Sequence, residues 1–389
     1  MNHAPRAPAS PRAVDRALGE LRRGVAVAVL GDAGERILAL PAETATLATL
    51  EEFLAEAELD VQPVLVLAPS RVADIVPGLL AGHDVFDDLA SLALPLDCAK
   101  ITVATLRSLA DPTSQPVPHW QSASRPGPAP FPGNLARAGL QLAKLARLLP
   151  AVLMASQARN RGGFAGLRGS SLLEVAAADI LTYPHDTSEG LVRAAEARLP
   201  LAEAGDARIV AFRPPDGGIE HLAVLIGRPE DAASPLVRVH SECFTGDLLG
   251  SQRCDCGPQL HQAIGRMAAE GAGVLLYMAQ EGRGIGLVNK LRAYALQDGV
   301  GGRPGLDTLD ANRALGYGAD ERSFAAAATM LRRLGILRVR LLTNNPAKLA
   351  GLTVHGIEVT GRVAHAIPAN GVNDGYLETK ARRFGHLLG

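Results

Sequence analysis

The sequence is short of cysteine, of net charge and of long apolar runs, and each shortage excludes a class of protein. Four cysteines among 389 residues are too few for a disulfide-stabilised scaffold. Lys and Arg number 39 against 40 Asp and Glu, whereas a general nucleic-acid-binding protein would be clearly basic. No apolar run approaches the roughly 18 residues that span a bilayer, and the first residues lack the apolar stretch of a secretory signal. We therefore expect a cytoplasmic protein with reduced thiols and with no membrane or nucleic-acid partner.

The sequence does contain enough apolar material for folded domains. Hydrophobic residues make up 47% and charged residues 20%, which excludes global disorder. At about 150 residues per domain, the length predicts two or three domains. Strand-like runs such as 25–30 and 273–277 alternate with helical stretches, an order typical of an α/β or α+β fold. We predict two domains, residues 14–195 and 196–389, the second with a mixed sheet and helices.

Local sequence patterns predict two loops and two helices. Seven prolines within residues 111–133 predict a long surface loop, and residues 162–169 form a second loop that is rich in glycine. A helix is predicted over residues 189–198. Another is predicted over 322–334, with Asp320 at its start, where an acidic residue caps well.

Three cysteines lie within 14 residues of one another: Cys243, Cys254 and Cys256. Thiolates favour zinc, and three protein ligands with one open position are typical of a catalytic zinc site. The alternatives are a structural Cys₃His site with His240 or His261 as the fourth ligand, or no metal at all. The remaining cysteine, Cys98, is predicted to be a buried, inert thiol.

A second group of residues suggests an anion-binding site. Residues 280–286 (QEGRGIG) connect a predicted strand to a predicted helix, where backbone N–H groups and the helix N-terminus attract an anion. Arg283 in this loop is suited to phosphate. Arg238, Arg322 and Lys348 are further candidates. Taken singly, each is better explained as a solvated surface charge, and the loop matches neither the dinucleotide fingerprint nor a P-loop.

Four ordered motifs resemble the GTP cyclohydrolase II family, and the resemblance covers about residues 196–389. Members of this family hydrolyse GTP to formate, pyrophosphate and 2,5-diamino-6-(5-phosphoribosylamino)pyrimidin-4(3H)-one, the first step of riboflavin synthesis. The motifs are RVHSECFTGDLLGSQRCDCG from residue 238, LLYMAQEGRGIGLVNKLRAYALQD from 275, LDTLDANRALGYGADER from 306 and RLLTNNPAKLAGL from 340.

The resemblance implies a role for each matching position. It implies one zinc ion per chain on Cys243, Cys254 and Cys256, with Mg²⁺ accompanying the GTP phosphates. It implies that Asp320 accepts a proton, that Tyr294 acts in the active site and that Arg322 attacks the α-phosphate. Because the arginine pKa lies above 12, we interpret Arg322 as a phosphate clamp instead. The implied GTP contacts are Arg238, Val239, His240, Ser241, Glu242, Gln259, Glu281, Gly282, Arg283, Thr308, Thr343 and Lys348.

Three positions depart from the family pattern. Ala279 stands where the family commonly has arginine, Gln252 replaces an apolar residue between the zinc cysteines, and residues 300–304 resemble an insertion. These departures leave two alternatives open. One is a related cyclohydrolase of another pyrimidine pathway, or one that stops at an earlier product. The other is a nucleotide-binding regulator with a structural zinc.

The first half weakly resembles 3,4-dihydroxy-2-butanone 4-phosphate synthase, which precedes this cyclohydrolase in many bacterial fusions. The family's dense acidic segment is reduced to Asp32 and Glu35, a poor site for Mg²⁺. Its Thr-His-x-Glu segment reads Pro-Gly-Asn-Leu-Ala at residues 132–136. We therefore predict an inactive synthase-like domain, and the resemblance makes a homodimer the natural expectation.

Overall fold

The chain forms two compact units, each with its own sheet and apolar core. A computed structural model describes residues 11–58, 61–76, 91–114, 126–158, 172–302 and 304–385. The first unit comprises residues 1–183, 291–306 and 310–319, and the second comprises 184–290, 307–309 and 320–389. The expected two-domain α/β architecture is confirmed. The glycine-rich loop at 162–169 and much of the proline-rich segment 111–133 lie outside the described residues.

The first unit is built around a six-stranded sheet in the order β4-β3-β5-β2-β1-β6, in which only β1 and β6 pair in parallel. Its interior strands are mostly buried short apolar runs, and β3, with the sequence VLVL, is buried at every residue. In chain order the elements are α1 (Pro11–Arg22), β1 (Val27–Leu30), β2 (Arg36–Pro41), α2 (Leu47–Glu56), β3 (Val64–Leu67), α3 (Pro69–Ile75), β4 (Leu92–Pro95), α4 (Val103–Ala110), α5 (Gly133–Leu145), β5 (Ala151–Ser156) and β6 (Glu174–Ala176).

The elements that follow form the second sheet and the remaining helices, and their residues 177–183, 291–306 and 310–319 belong to the first unit. They are α6 (Ala177–Glu189), β7 (Val192–Arg198), β8 (Arg208–Arg213), β9 (His221–Gly227), β10 (Leu236–Ser241), α7 (Cys256–Glu270), β11 (Ala272–Met278), α8 (Leu287–Asp298), α9 (Thr308–Ala314), α10 (Ala325–Arg333), β12 (Arg338–Leu342), α11 (Pro346–Val354), β13 (Glu358–Val363) and α12 (Asp374–Phe384).

The second sheet is mixed, and its parallel half positions the candidate site. The strand order is β13-β12-β10-β11-β9-β8-β7. The four strands from β13 to β11 run parallel, and the remaining pairs are antiparallel. The carboxyl ends of β10, β11, β12 and β13 therefore meet at one edge of the sheet, where open α/β sheets usually bind ligands. We call this the carboxyl edge.

Three local predictions are wrong. Residues 192–198 form the edge strand β7 instead of a helix, because pairing with β8 overrides the helix propensity of an Ala- and Glu-containing run. The helix expected from residue 322 begins at Ala325, since Asp320 bonds the Arg322 N–H in a turn. Cys98 is exposed in the turn after β4.

The predicted domain boundary at residues 195 and 196 falls inside β7. The first division between the two compact units lies between Tyr183 and Pro184, within helix α6. No helix in the described part of the chain combines the length and the apolar character needed to cross a membrane.

Candidate metal and substrate site

The three predicted cysteines come together at the carboxyl edge. Cys243 lies two residues beyond β10, Cys254 is in the following loop, and Cys256 begins α7. Their Sγ atoms all lie within 4.8 Å of one another. Among the described residues this cluster contains no histidine: His240 bonds Asp247, and His261 lies beside Glu203. The geometry therefore supplies three protein ligands, and the Cys₃His alternative lacks its fourth ligand here.

Gly246 keeps the space beside the sulfurs free. A Cβ atom added at this position would lie 2.8 Å from Cys254 Sγ and 3.0 Å from Cys243 Sγ. Both distances are shorter than side chains tolerate, so only glycine fits. Three converging thiols beside a position without a side chain suit a thiophilic ion, and the cluster fits a metal such as zinc by the chemistry of its donors.

The three thiols share charge unequally in the absence of a metal ion. Hydrogen bonds from Cys254 and Cys256, together with the Lys290 ammonium, hold the pKa of Cys243 far below its usual range. The same contact with Cys243 raises the pKa of Cys254 to about 11. Cys243 is therefore the thiol that ionises most readily. A bound cation would favour loss of the protons of Cys254 and Cys256 as well.

Asp247 lies on one side of the cysteine cluster and binds the backbone of Cys243. Its carboxylate accepts the Cys243 N–H at 3.0 Å and the Tyr277 hydroxyl at 2.9 Å, and lies 3.1 Å from His240 Nε2. The imidazole of His240 also stacks on the Tyr277 ring, with 5.6 Å between centroids. One buried carboxylate thus fixes a metal-ligand candidate and a predicted substrate contact together.

Glu281 and Lys290 form a buried ion pair on the other side. Lys290 Nζ lies 2.7 Å from Glu281 Oε1 and donates to Cys243 Sγ at 3.1 Å. The second carboxylate oxygen of Glu281 accepts the Phe244 N–H at 2.6 Å. Glu281, predicted to contact substrate, therefore also ties the loop after β11 to the segment that carries Cys243.

The glycine-rich loop at residues 280–286 differs from the expected anion cradle. The N–H of Gly282 donates to Glu281 Oε1, that of Gly284 to the Gln280 carbonyl, and that of Gly286 to the Glu281 carbonyl. These three donors are already used within the loop. Gly282 and Arg283 both have a φ of 62°, which is strained for arginine and is commonest at functional sites.

Four cations, three of them buried and Arg322 half-buried, gather at the same edge. We call Arg238, Arg322, Lys348 and Lys380 the cation group. Arg238 donates to the Leu342 carbonyl at 3.0 Å and to Gln259, and Lys348 Nζ donates to the Val239 carbonyl at 2.7 Å.

Burial disfavours the charged forms of two members. It lowers the pKa of Arg238 to about 10. Burial and repulsion from Arg238, Arg322 and Lys380 lower the pKa of Lys348 well below its usual value. Lys380 and Arg322 pair with carboxylates, whereas Arg238 and Lys348 donate to uncharged oxygens, so an anionic ligand would supply the negative charge that these two lack.

Asp255 links the cysteines to the cation group. It lies between Cys254 and Cys256, is 2% exposed, and pairs with Lys380 Nζ at 2.6 Å. Its other oxygen accepts from Gln259, which in turn accepts from Arg238. Predicted metal and substrate residues are thus joined by one hydrogen-bonded chain.

Asp320 forms an ion pair with Arg322, a member of the cation group. The guanidinium donates to both carboxylate oxygens, and the Arg322 N–H donates to Asp320 Oδ1 at 3.1 Å. Desolvation acts to raise the pKa of Asp320, but Arg322 outweighs it and holds that pKa below the usual value. Asp320 is therefore an ionised carboxylate, the state a proton acceptor requires.

The remaining predicted residues divide between the edge and other places. Ser241 Oγ accepts from Gln280, the Glu242 N–H donates to the Met278 carbonyl, and buried Thr343 Oγ1 accepts the Asn345 N–H. Thr308 is half-buried at the first residue of α9. Tyr294 lies in the part of α8 that clusters with the first unit, so it is not among the residues that the second unit brings together.

Several site residues were missed by sequence reasoning. Asp247, Asp255 and Lys290 lie within the four quoted motifs, but the resemblance gave them no role, and Lys380 lies beyond those motifs. His365 lies outside those motifs, and no sequence pattern singles it out.

The fold and the site together define a class of protein. A parallel sheet edge that gathers three thiols, a buried carboxylate network and a group of cations has the parts of a metal-dependent enzyme for an anionic substrate. Comparison with known proteins gives the family.

The GTP cyclohydrolase II family model matches residues 192–364. A protein from Azospirillum brasilense named GTP cyclohydrolase-2 is 46% identical over 384 residues, 98% of this chain and 95% of its own. A GTP cyclohydrolase-2 from Actinobacillus succinogenes is 50% identical over 196 residues, 50% of this chain and 88% of its own. The riboflavin biosynthesis protein RibBA of Parabacteroides distasonis is 41% identical over 303 residues, 73% of this chain and 72% of its own. The chain belongs to the GTP cyclohydrolase II family.

A solved structure of a two-domain 3,4-dihydroxy-2-butanone 4-phosphate synthase from A. baumannii covers 90% of this chain and 99% of its own. Its sequence identity is 18% and its TM-score 0.33. A score this low does not establish a shared fold.

Proposed function

We propose that the chain hydrolyses GTP to 2,5-diamino-6-(5-phosphoribosylamino)pyrimidin-4(3H)-one, formate and pyrophosphate. The observation that carries the proposal is the meeting of an open three-cysteine cluster and the cation group at one carboxyl edge. Ring opening and pyrophosphate release are different chemistries, and these two groups match them one to one. For the two regions that resemble the synthase and the cyclohydrolase, we propose domain limits of 14–195 and 196–389.

Cys243, Cys254 and Cys256 would hold one Zn²⁺. A bound zinc ion would supply a Lewis acid that lowers the pKa of water for attack on the purine ring. Lys290 and Asp247 act on the protein side of this centre. The ammonium favours the Cys243 thiolate, and the carboxylate fixes the backbone that carries it.

The cation group would bind the triphosphate, which arrives with Mg²⁺. Repulsion among Arg238, Lys348 and Arg322 is relieved when phosphate oxygens approach, so binding energy is available where negative charge develops on the departing pyrophosphate. Asp320 would accept the proton lost on hydrolysis. Arg322 keeps that carboxylate ionised, and we assign it the further role of a phosphate clamp.

The test is a stoichiometric assay of formate and pyrophosphate with purified protein, zinc, Mg²⁺ and GTP. Equal release of both products is expected, with formate lost in Cys254→Ser, whose hydroxyl is a poor zinc ligand. GTP binding without either product would instead support a nucleotide-binding regulator. Control reactions with Gln252→Leu, an exposed position beside the cysteines, should retain both products.

A second candidate is a related cyclohydrolase with a different product. Ala279 motivates it, because one phosphate-binding arginine is absent and the Ala279 N–H is bonded to His221 Nδ1. Product identification by mass spectrometry in the same assay separates the two. A formylated pyrimidine without free formate would favour the second candidate.

For the first unit we propose a synthase-like domain without synthase activity. Asp32 is exposed, and Glu35 accepts the Ala33 N–H of the same turn at 3.0 Å. Leu135 and Ala136, in the segment where the synthase has histidine and glutamate, are buried in the core. We further propose a cytoplasmic homodimer, testable by light scattering of the purified chain.

A further inference from the structure

The carboxyl edge contains buried polar atoms without a partner. Among the described residues, Arg238 Nε, His240 Nδ1 and both ring nitrogens of His365 are buried and make no hydrogen bond. A buried polar group without a partner typically costs about 1–3 kcal/mol, so native proteins rarely retain one without a reason. Arg238 and His240 are already predicted substrate contacts. His365 has no assigned role.

His365 occupies the carboxyl end of the outermost parallel strand. It follows β13 by two residues, and its side chain is buried at 2% exposure. Its own N–H donates to Asn344 Oδ1 at 2.9 Å, which fixes the backbone beside the end of β12. The Thr343 N–H donates to the Val363 carbonyl at 2.9 Å, so the segment that carries His365 lies beside a predicted substrate contact, and Arg238, His240 and Lys348 act on the imidazole electrostatically. The side chain of His365 therefore shares the surroundings of the predicted substrate contacts while its ring nitrogens make no hydrogen bond to the described part of the chain.

We propose that His365 is a substrate-binding residue that donates a hydrogen bond from its neutral imidazole to a phosphate oxygen of the bound nucleotide. The inference rests on the proposed function, since it takes GTP as the ligand. The ring keeps one N–H in its neutral form, and a phosphate oxygen is the acceptor that the cation group would bring within reach.

The chemistry of the surroundings favours a neutral donor at this position. Burial and the charges of Arg238, His240 and Lys348 lower the pKa of His365 to about 3, so the ring carries no charge at neutral pH. A lysine or arginine here would add another cation to a group whose members already repel one another. A neutral imidazole adds a donor for phosphate without adding to that repulsion.

The test compares the full-length enzyme with His365→Leu, which removes both nitrogens at similar volume, and with His365→Gln and His365→Asn, which retain an amide donor. His185→Leu makes the same change at an exposed position of α6. Each variant is measured for KM and kcat with GTP, for metal content, and for thermal unfolding without nucleotide.

We expect His365→Leu to raise the KM for GTP about 10- to 100-fold, the range for one lost hydrogen bond to a charged group, with kcat changed less than about threefold. Unfolding without nucleotide should be unchanged or shifted to higher temperature, because an apolar side chain replaces two unpartnered atoms. One amide variant should recover most of the affinity, and His185→Leu should match wild type.

Two inhibitors locate the contact. Inorganic triphosphate should lose affinity for His365→Leu by the same factor as GTP, whereas guanosine should inhibit both proteins equally. Equal loss for guanosine overturns the phosphate contact. An unchanged KM, or a large drop in unfolding temperature, overturns the binding role and indicates a buried water or a structural position. Wild-type enzyme that neither binds nor hydrolyses GTP would instead overturn the proposed function, so the two failures are distinguishable.

Discussion

The two units differ in how the hydrogen-bond donors of their buried arginines are satisfied. In the first unit, Arg71 is 6% exposed and donates to the carbonyls of Leu109 and Ser108 at 2.8 and 3.2 Å. Arg238 in the second unit has the same exposure, 6%, but its Nε has no partner among the described residues. Arg71 satisfies two carbonyl groups at the end of helix α4, whereas Arg238 has an N–H group, on Nε, that bonds no described residue.

This contrast extends beyond the two arginines. The buried side-chain atoms without a partner that we find in the described part of the chain lie at the carboxyl edge of the second unit, and none lies in the first. A satisfied polar network contributes to the stability of the fold. An unsatisfied one lowers the stability of the free protein and is relieved when a ligand arrives. The presence of unsatisfied buried polar atoms therefore distinguishes the second unit, as a binding site, from the first unit, as a scaffold.

The largest expected effect comes from Gly246→Ala, which tests whether the second unit depends on an open space beside the thiols. The added Cβ would lie within 3.0 Å of the sulfurs of Cys254 and Cys243. We expect the bound metal to fall at least tenfold and formate release at least about 100-fold, the scale of losing a catalytic metal centre. Elemental analysis and the formate assay measure the two.

Gly265→Ala is the matched control for that change. Gly265 lies in α7, and a Cβ there would meet no atom within 4 Å. Alanine should keep the metal and add about 0.5–1 kcal/mol of stability to the helix. Full metal content in Gly246→Ala would show that the cluster does not need the space that glycine leaves.

The second prediction exchanges the two buried arginines for methionine. Arg238→Met should lower kcat/KM for GTP about 100-fold, because it removes a charge from the cation group, and should destabilise the fold less than Arg71→Met, because one carbonyl loses a donor while an unpartnered Nε is removed. Arg71→Met should leave kcat/KM within about twofold but destabilise the fold by about 2–3 kcal/mol, since two carbonyls lose a charged donor. Steady-state kinetics and urea unfolding of both variants give the comparison. Similar losses of stability in both would erase the distinction between the units.

Much of the site could be predicted from the sequence, because its parts are close in the chain or carry distinctive chemistry. Cys243, Cys254 and Cys256 stand within 14 residues, and thiols at that spacing have few other uses. The alternation of strands and helices also predicted an α/β fold with a mixed sheet, although it did not predict which strands run parallel. These elements are local, so their periodicity is visible in one dimension.

What could not be predicted depends on contacts between distant segments. Lys380 reaches Asp255 across 125 residues of sequence, and neither residue reveals the other. Strand β7 is exposed along its whole length, so it has no apolar alternation to mark it as a strand, and only pairing with β8 makes it one. His365 resembles any histidine until the structure shows it buried and without a partner.

The smallest expected effect tests the first unit's turn between β1 and β2. Glu35→Gln removes a carboxylate that the synthase would use for a cation, but here that carboxylate accepts the Ala33 N–H of its own turn. We expect a stability change below about 0.5 kcal/mol, typical of a surface position, and no change in GTP turnover. The wild-type chain should form no 3,4-dihydroxy-2-butanone 4-phosphate in a synthase assay with Mg²⁺. Product formed by wild type and lost in Glu35→Gln would make the first unit an active site as well, and the contrast between a scaffold and a binding site would no longer follow the division between the units.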